Sequence, residues 1–449
     1  MNPVPTPDHF ASDDATSPAL TRELLAGAAG AIGGVVLAGL PAIAAGQQTG
    51  SKVAAAAANT SATAAVASST PPLRPVVPLD ATIVPGAPTS PVGSRSAFAT
   101  PTRGPTGEIT GSSLTPFQDL SGTITPSDLH FERHHAGIPA IDPARHALVI
   151  HGLVDRPLSF SLDDLMRFPQ VTRTYFVECS GNGRAAFRDP KPEMTPQKVV
   201  GLMSNTEWTG VPLATLFREA GVKKEAAWFL AEGGDACLMT RSVPIAKAWD
   251  DALVVWGQNG EPLRPEQGYP MRLLLPGWEG NINVKWLRRL ELGTRPWATR
   301  WETAKYTDPL LNGTARIYSF VLDAKSIITS PSTPGTITAT GWRPVSGLAW
   351  SGRGTIVKVE VSTDNGTSWH DAELTGPALP KAAVRFQYMW EWTGKASVLL
   401  SRATDETGYT QPTRTQLIAV RGPGTDYHFN QIVGWKVGAD GQLSFHGES

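Results

Sequence analysis

Val177-Glu178-Cys179-Ser180-Gly181-Asn182-Gly183-Arg184 closes a strand-like run over 172–178 with a cysteine in a glycine-rich turn, just ahead of an arginine. A guanidinium close to a thiol favours the thiolate. Glycines on either side of Asn182 let the backbone approach a bulky group closely. A thiolate so placed can act as a nucleophile or as a ligand to a soft metal. The plainer reading is a buried, inert cysteine. What lies on either side of the turn decides between them.

Upstream, Ala147-Leu148-Val149-Ile150 reads as a strand, and Ser161 before Leu162-Asp163-Asp164-Leu165-Met166 reads as a capped helix start. Downstream, residues 211–221 form an amphipathic helix ending on Gly221. Residues 271–276 and 284–292 are apolar runs of buried-strand type. Strands and short helices mixed in this way make an α+β domain over 114–306. From 307 to 440 the character changes. Val357, Val359 and Val361 alternate with Lys358, Glu360 and Ser362, and Asp364-Asn365-Gly366 then supplies a hairpin turn. Val384, Phe386, Tyr388, Trp390 and Trp392 share one face of the next strand, and 397–404 gives a third. Short strands at this spacing predict an immunoglobulin-like β-sandwich, with Trp342, Trp350 and Trp369 in its core.

The 449 residues hold 39 Lys plus Arg against 40 Asp plus Glu, a net charge of -1, so no basic field points to nucleic acid. Any anion site must be a local cluster of arginines. With two cysteines, Cys179 and Cys237, the chain cannot build a four-cysteine zinc or iron–sulfur site, and it has no Cys-x-x-Cys-His for a c-type haem. A single disulfide between the two stays open. Residues 1–45 read as an export signal: polar, then Thr21-Arg22-Glu23-Leu24-Leu25, then an uncharged Ala/Gly-rich apolar run closing on Ala42-Ile43-Ala44. The pattern is similar to a twin-arginine signal with Thr21 in place of the first arginine. An uncleaved membrane anchor is the other reading. The expected location is the periplasm or another exported compartment. Residues 46–113, mostly Ala, Thr, Ser, Pro and Gly, read as a disordered linker.

Three further stretches bear on the cysteine: Phe131-Glu132-Arg133-His134-His135, Gly268-Tyr269-Pro270-Met271-Arg272, and Leu275-Pro276-Gly277-Trp278-Glu279-Gly280-Asn281-Ile282-Asn283-Val284-Lys285-Trp286-Leu287. Together with the Cys-x-Gly-Asn-x-Arg turn they resemble the sulfite oxidase family of molybdenum enzymes over residues 114–440. The opening Leu114-Thr115-Pro116-Phe117-Gln118-Asp119-Leu120 and the run 132–139 are similar to a bacterial subgroup acting on sulfane sulfur. The resemblance implies a molybdopterin-binding catalytic domain followed by a β-sandwich through which two copies dimerise. It implies a molybdopterin carrying molybdenum, with Cys179 as the one protein ligand to the metal. It puts Arg133, His134, His135, Asp235, Gln267, Arg272, Asn283, Val284 and Lys285 on the cofactor. Arg272 and Lys285 suit its phosphate. Arg133, Arg184 and Arg421 would hold a sulfur anion, with Tyr306 beside the metal.

The sequence departs from the animal members in three places. Gln267 stands where they carry histidine, Lys305 precedes Tyr306 where they carry an acid, and 201–204 lacks their tryptophan. The last two departures point to a larger substrate than bare sulfite, such as sulfane sulfur on a carrier protein. With no haem motif on the chain, the implied electron acceptor is a separate cytochrome c subunit. Free sulfite oxidation or nitrate reduction is the alternative within the family. A non-catalytic exported β-sandwich binding module is the alternative outside it. Cys237 has no matched role and reads as a small buried apolar residue.

Overall fold

The computed structural model describes residues 85–310 and 312–447. The expected export signal, and the expected linker as far as residue 84, lie outside the described residues. Residues 85–89 are exposed and carry no regular structure. Residues 90–449 form one compact unit. Among the described residues no helix is long and apolar enough to cross a membrane.

Regular structure begins earlier than the composition predicts. β1 (Gly104–Gly107) and β2 (Gly111–Leu114) form a hairpin that β3 (Glu132–His134) extends, so the expected linker does not run to 113. Backbone pairing, rather than apolar burial, orders this polar stretch. Gln197 Nε2 pins it by donating to Thr102 O at 2.9 Å and Leu114 O at 2.8 Å.

The chain continues through β4 (Leu148–Gly152), β5 (Leu158–Phe160), α1 (Leu162–Met166), β6 (Val171–Glu178), α2 (Arg184–Arg188) and α3 (Pro196–Val200). Then come β7 (Met203–Pro212), α4 (Leu213–Ala220), β8 (Trp228–Gly233), β9 (Thr240–Pro244), α5 (Ile245–Asp250) and β10 (Leu253–Gln258). β11 (Glu261–Pro262), β12 (Arg272–Leu274), β13 (Leu287–Gly293) and α6 (Arg300–Thr303) finish the first half. Two sheets result: β11-β10-β7-β6 with β12 also on β10, and β5-β4-β13-β8-β9. Local sequence explains the helix ends. Ser161 and Asp164 form a capping box on α1, and Gly221 ends α4 at a φ of 67°. A core around Leu148, Phe217, Val254, Leu273 and Leu290 fills the space between these sheets and α4.

A small ribbon, β14 (Asp308–Pro309) with β15 (Ala315–Arg316), leads to the sandwich. Its strands are β16 (Lys325–Ser330), β17 (Gly341–Trp350), β18 (Ile356–Ser362), β19 (His370–Asp371), β20 (Glu373–Leu374), β21 (Val384–Trp392) and β22 (Ser397–Asp405). After α7 (Arg414–Arg421), β23 (Gly434–Val437) and β24 (Leu443–His446) complete it. The two sheets run β16-β17-β21-β20 and β19-β18-β22-β23-β24. The 364–366 turn has Asn365 and Gly366 at positive φ, as a tight hairpin requires.

Two expectations fail here for identifiable reasons. A bulge between Ile356 and Lys358 breaks the alternation of β18, so Val357 is exposed while Val359 and Val361 are buried. Of the three tryptophans, only Trp350 is core. Trp342 sits near the start of β17 on an open face, and Trp369 is half-buried beneath Arg402, 4.3 Å from its ring centroid.

The sandwich core does not stop at the sandwich. Trp350, Phe386 and Trp435 belong to one apolar cluster with Phe117, Phe176, Ala186, Val199 and Met203 of the first half. The two halves therefore share a seam, and β6 with α2 runs along it.

Candidate functional site

β6 delivers Glu178 and Cys179 to the mouth of the 179–184 turn. Cys179 N donates to Leu202 O at 2.9 Å, Asn182 N donates back to Cys179 O at 2.9 Å, and Gly183 sits at a φ of 95°. Asn182 secures the turn through its side chain. Its Nδ2 donates to Val200 O at 3.0 Å and to Glu178 Oε1 at 2.8 Å, while its Oδ1 accepts from Leu202 N at 3.1 Å. On the other side the 3-10 turn Gly280–Ile282 presses against the cysteine. A Cβ on Gly280 would lie 2.8 Å from Glu178 O and 3.2 Å from Cys179 N, so only glycine allows this approach.

Cys179 faces a cavity of about 670 Å³, mouth included. The expected residues Arg133, His134, His135, Asp235, Gln267, Arg272, Asn283, Val284, Lys285 and Tyr306 all line it. They come from β3, β12, the segments flanking β3, β8, β12 and β13, and the chain after α6, so both sheets of the first half and the small N-terminal sheet meet at this hollow. Sequence reasoning missed His130, Met239, Gly280 and Asn281 on the same wall.

Arg184 and Arg421 do not line the cavity. Arg184 turns its guanidinium onto Asp426 O (2.6 Å from Nη2) and lies over the Tyr427 ring at 5.3 Å. Arg421 ends α7 between Asp308 at 3.6 Å and Asp323 at 3.5 Å. Of that set only Arg133 is on the cavity wall, and its Nη1 also donates to Gly111 O at 3.2 Å and to His134 O.

The cations around the cavity are expensive to bury. Burial, with Arg272 adding repulsion, brings the Lys285 ammonium down to about 7. Burial alone brings Arg272 down to about 9. Lys285 Nζ donates to Arg133 O at 3.1 Å, Glu266 O at 2.9 Å and His134 Nδ1 at 3.0 Å. That last bond fixes the His134 tautomer: Nδ1 accepts, so Nε2 carries the proton and donates to Glu132 Oε2 at 2.8 Å. Arg272 donates to Gln267 O at 3.1 Å and Asn283 O at 3.0 Å, and its buried Nε has no partner. Asn283 spends its amide on backbone groups, from Leu275 N to Trp278 O and Glu279 O.

Three groups on this wall, His135, Tyr306 and the Cys179 thiol, are shifted toward their neutral forms. Burial lowers His135 to about 4, helped by Arg133. Burial raises the Tyr306 phenol. The two meet in a hydrogen bond of 2.7 Å from His135 Nε2 to Tyr306 Oη. The Cys179 thiol is also raised, because burial outweighs the Gly181 N–H and the Arg133 and Arg184 charges. Arginine proximity alone thus does not give the expected thiolate. A bound cation would, since coordination deprotonates a thiol. Cys179 and Cys237 are both free thiols. Cys237 is half-buried rather than buried, and its Sγ lies 2.8 Å from Asp235 Oδ2 as a polar partner.

Behind Tyr306 and Asn281 of the cavity wall lies a buried cluster that the sequence did not reveal. Arg241, fully buried, bonds Glu279 at 3.1 Å, lies 3.8 Å from Glu302, donates to Asn281 Oδ1 and sits 5.3 Å over the Tyr306 ring. Among the described residues no group of three or more His, Cys, Asp or Glu could hold a metal by itself. A metal at Cys179 therefore needs most of its ligands from a cofactor.

Comparison with known proteins bears on which cofactor. Residues 135–301 match the family described as Oxidoreductase molybdopterin binding domain, and 316–434 match Mo-co oxidoreductase dimerisation domain. Mitochondrial sulfite oxidase of Mus musculus is 30% identical over 318 residues, covering 65% of this chain and 58% of that one. Sulfite oxidase of Gallus gallus is 30% identical, covering 64% of this chain and 68% of that one. NADH nitrate reductase of Ulva prolifera is 30% identical, covering 68% and 40%. The chain spans a little over half the length of the mouse enzyme. Among solved structures, the sulfane dehydrogenase SoxCD of Paracoccus pantotrophus superposes with a TM-score of 0.78 at 43% identity, covering 83% of this chain and 97% of that one.

Proposed function

This chain belongs to the sulfite oxidase family of molybdopterin oxidoreductases, and from that premise we propose that it oxidises a reduced sulfur substrate, sulfane sulfur or sulfite, and passes the electrons to a cytochrome c. The cofactor of the family is molybdopterin carrying molybdenum. The cavity suits it on physical grounds. Arg272 is a buried and Lys285 a half-buried cation, the charge of each is penalised by desolvation, and an anion such as the pterin's phosphate would offset that cost. The unpartnered Nε of Arg272 and the glycine-limited approach of Gly280 to Cys179 fit a bulky polyfunctional guest. The observation that carries the reading is one free thiol on the wall of a hollow that also holds Arg133, Arg272 and Lys285.

In this reading Cys179 ligates the metal, and Arg272 and Lys285 hold the phosphate. Arg133, His134, His135, Asp235, Gln267, Asn283 and Val284 shape the pterin site. When bound, the cofactor supplies a two-electron acceptor for sulfur that releases its electrons one at a time. Arg133, alone among the three expected anion arginines, faces the hollow and draws the substrate anion in. Tyr306 and His135 hold one hydrogen bond between neutral partners at the reacting end, a proton position that adds no charge to the wall.

Leu202, in the stretch lacking the animal tryptophan, packs in the apolar cluster that includes Cys179. The missing tryptophan at 201–204 and Lys305 before Tyr306 support a substrate wider than sulfite, presented as a terminal sulfur on a carrier. We further propose that the chain is exported and pairs with a second copy through the sandwich. The test is elemental analysis of purified protein with turnover of sulfite, thiosulfate, carrier-bound sulfur and nitrate, on wild type and Cys179→Ser. Molybdenum near one atom per chain and sulfur turnover lost in the variant are expected. Absence of molybdenum from the wild type would overturn the reading and favour a binding module. Nitrate as the sole substrate would move the chain to the other branch of its family.

A further inference from the structure

Glu178 precedes the cysteine and is almost wholly buried. Its carboxylate takes three donors. Lys325 Nζ approaches Oε1 at 2.5 Å, Asn182 Nδ2 meets the same oxygen at 2.8 Å, and Trp350 Nε1 meets Oε2 at 2.8 Å. Lys325 opens β16 and Trp350 ends β17, and the two are register partners in the sandwich. Lys325 is itself buried, and its Nζ also lies 3.4 Å from Asn182 O. The sandwich therefore reaches across the seam and holds the residue next to the cavity cysteine with a buried charge pair.

We propose that Glu178 is a positioning residue for Cys179, and that Lys325 and Trp350 make the sandwich part of the redox centre by fixing both the place and the balance of charge beside the metal-ligating sulfur. This rests on the molybdopterin reading above. Two features separate it from plain packing. First, Glu178 O and Cys179 N form the strip of backbone against which Gly280 is pressed, so a shift of Glu178 moves both walls of the cavity around the sulfur. Second, the pair is buried, where charges are poorly screened and act over longer distances than at the surface. An unpaired carboxylate beside the sulfur opposes adding electrons to the metal it ligates. An unpaired ammonium favours it.

The experiment measures the reduction potential of the molybdenum centre and its paramagnetic one-electron-reduced spectrum in molybdenum-loaded wild type, Glu178→Gln, Lys325→Met, Lys325→Arg and the double variant Glu178→Gln/Lys325→Met. Glu178→Gln should shift the potential upward and Lys325→Met downward. The double variant should return towards wild type, and Lys325→Arg, which keeps the charge, should stay near it. A role confined to packing would move both single variants the same way, with metal loss, and give no sign reversal. If the wild type holds molybdenum and the two single variants share a potential with it, the inference fails while the family reading stands. If the wild type holds no molybdenum, the reading beneath it fails first. Should Lys325→Met not fold, the opposite pair Glu178→Gln and Lys325→Arg still decides: an unmoved potential in Glu178→Gln refutes the proposal.

Discussion

Replacing Arg241 by methionine should cost this protein a large part of its stability. The side chain is fully buried on β9 and faces two buried carboxylates, Glu279 at 3.1 Å and Glu302 at 3.8 Å. Methionine fills most of the volume but leaves both carboxylates without their guanidinium. The two differ in what remains. Glu302 keeps Ser242 N, Ser242 Oγ at 3.1 Å and Thr299 N at 2.9 Å. Glu279 keeps His428 at 3.6 Å and Asn281. Removing one partner from a buried ion pair costs about 3–5 kcal/mol, and because Glu302 retains three donors the total should stay near the top of that range rather than double it. Glu279→Gln should cost less, about 1–3 kcal/mol, since Arg241 then still has Glu302. The double variant should fall short of the sum, because it removes the stranded charge as well as its partner. The sign of the pH dependence is a second check. Burial pushes the Glu279 carboxyl up, and the combined pull of Arg241, His428 and Asn281 outweighs it, so the group lies below its ordinary 4.5. Its stabilising share is present above 4.5 and lost as pH falls through the lower folded value. In Arg241→Met the stranded carboxylate protonates more readily, so the deficit against wild type should narrow on acidification. The assay is urea unfolding of metal-free protein followed by tryptophan fluorescence at pH 7 and pH 5. An Arg241→Met loss under about 1 kcal/mol, or strict additivity in the double variant, would refute the account of this cluster.

Gly280→Ala should fold yet take up little molybdenum, because the added Cβ meets Glu178 O at 2.8 Å and Cys179 N at 3.2 Å; metal content against the secondary-structure spectrum shows it. Cys179→Ser should lose turnover and shift any remaining metal spectrum, since a hydroxyl is a poor substitute for a thiolate ligand. Burial holds the His130 imidazole near 3 against an ordinary 6.5, so the unfolded chain takes up that proton first. The metal-free protein should then be at full strength, as far as this residue is concerned, above 6.5 and weaken by about 1.4 kcal/mol per pH unit on the way down. Thermal melting from pH 7 to pH 4 measures that slope, and His130→Phe should flatten it.

The sequence made the sandwich legible wherever side-chain alternation is undisturbed. β21 buries Val384, Phe386, Trp390 and Trp392 on the face that its period-two pattern assigns. It misled where geometry departs from the ideal ladder. The bulge in β18 exposes Val357, a change of phase that no composition records. The cavity was legible because backbone turns and the side chains between them are written in short motifs around Cys179, Arg272 and Lys285. Arg241 was not, although a signal existed. It lies two residues before Val243 on one strand, and period two puts the pair on one buried face. A lone arginine in Thr240-Arg241-Ser242-Val243-Pro244 reads as surface because its carboxylate partners lie about 40 and 60 residues away, too far for local pattern to join them. Arg184 and Arg421 are placed differently from what the motifs suggest. Motif matching aims them at the substrate, and local acceptors, Asp426 O for one and Asp308 with Asp323 for the other, hold them elsewhere.

Those two arginines also show why the sandwich cannot be a separate appendage. Its segment 426–430 runs over the cysteine turn. Asp426 O accepts from Arg184, Tyr427 Oη accepts from Tyr306 N at 3.2 Å, and His428 N donates to Ser180 O at 2.7 Å. Phe429 packs on Phe187 of α2 and within 3.0 Å of where a Cβ on Gly183 would stand. Four consecutive residues of the second half thus touch the turn, the helix it opens and the tyrosine beside the cavity. Lys325 and Trp350 reach the same turn from below through Glu178. A first half expressed alone would lose the Lys325 and Trp350 donors of Glu178, keep Asn182 Nδ2, and expose Phe176, Val199 and Met203. Uncovering that apolar face removes the burial that holds β6 and α2 in place. The reaction centre therefore depends on the sandwich being folded against it, and a truncation ending near residue 306 should give neither a soluble fold nor a competent cavity, which expression of that fragment with metal analysis would decide.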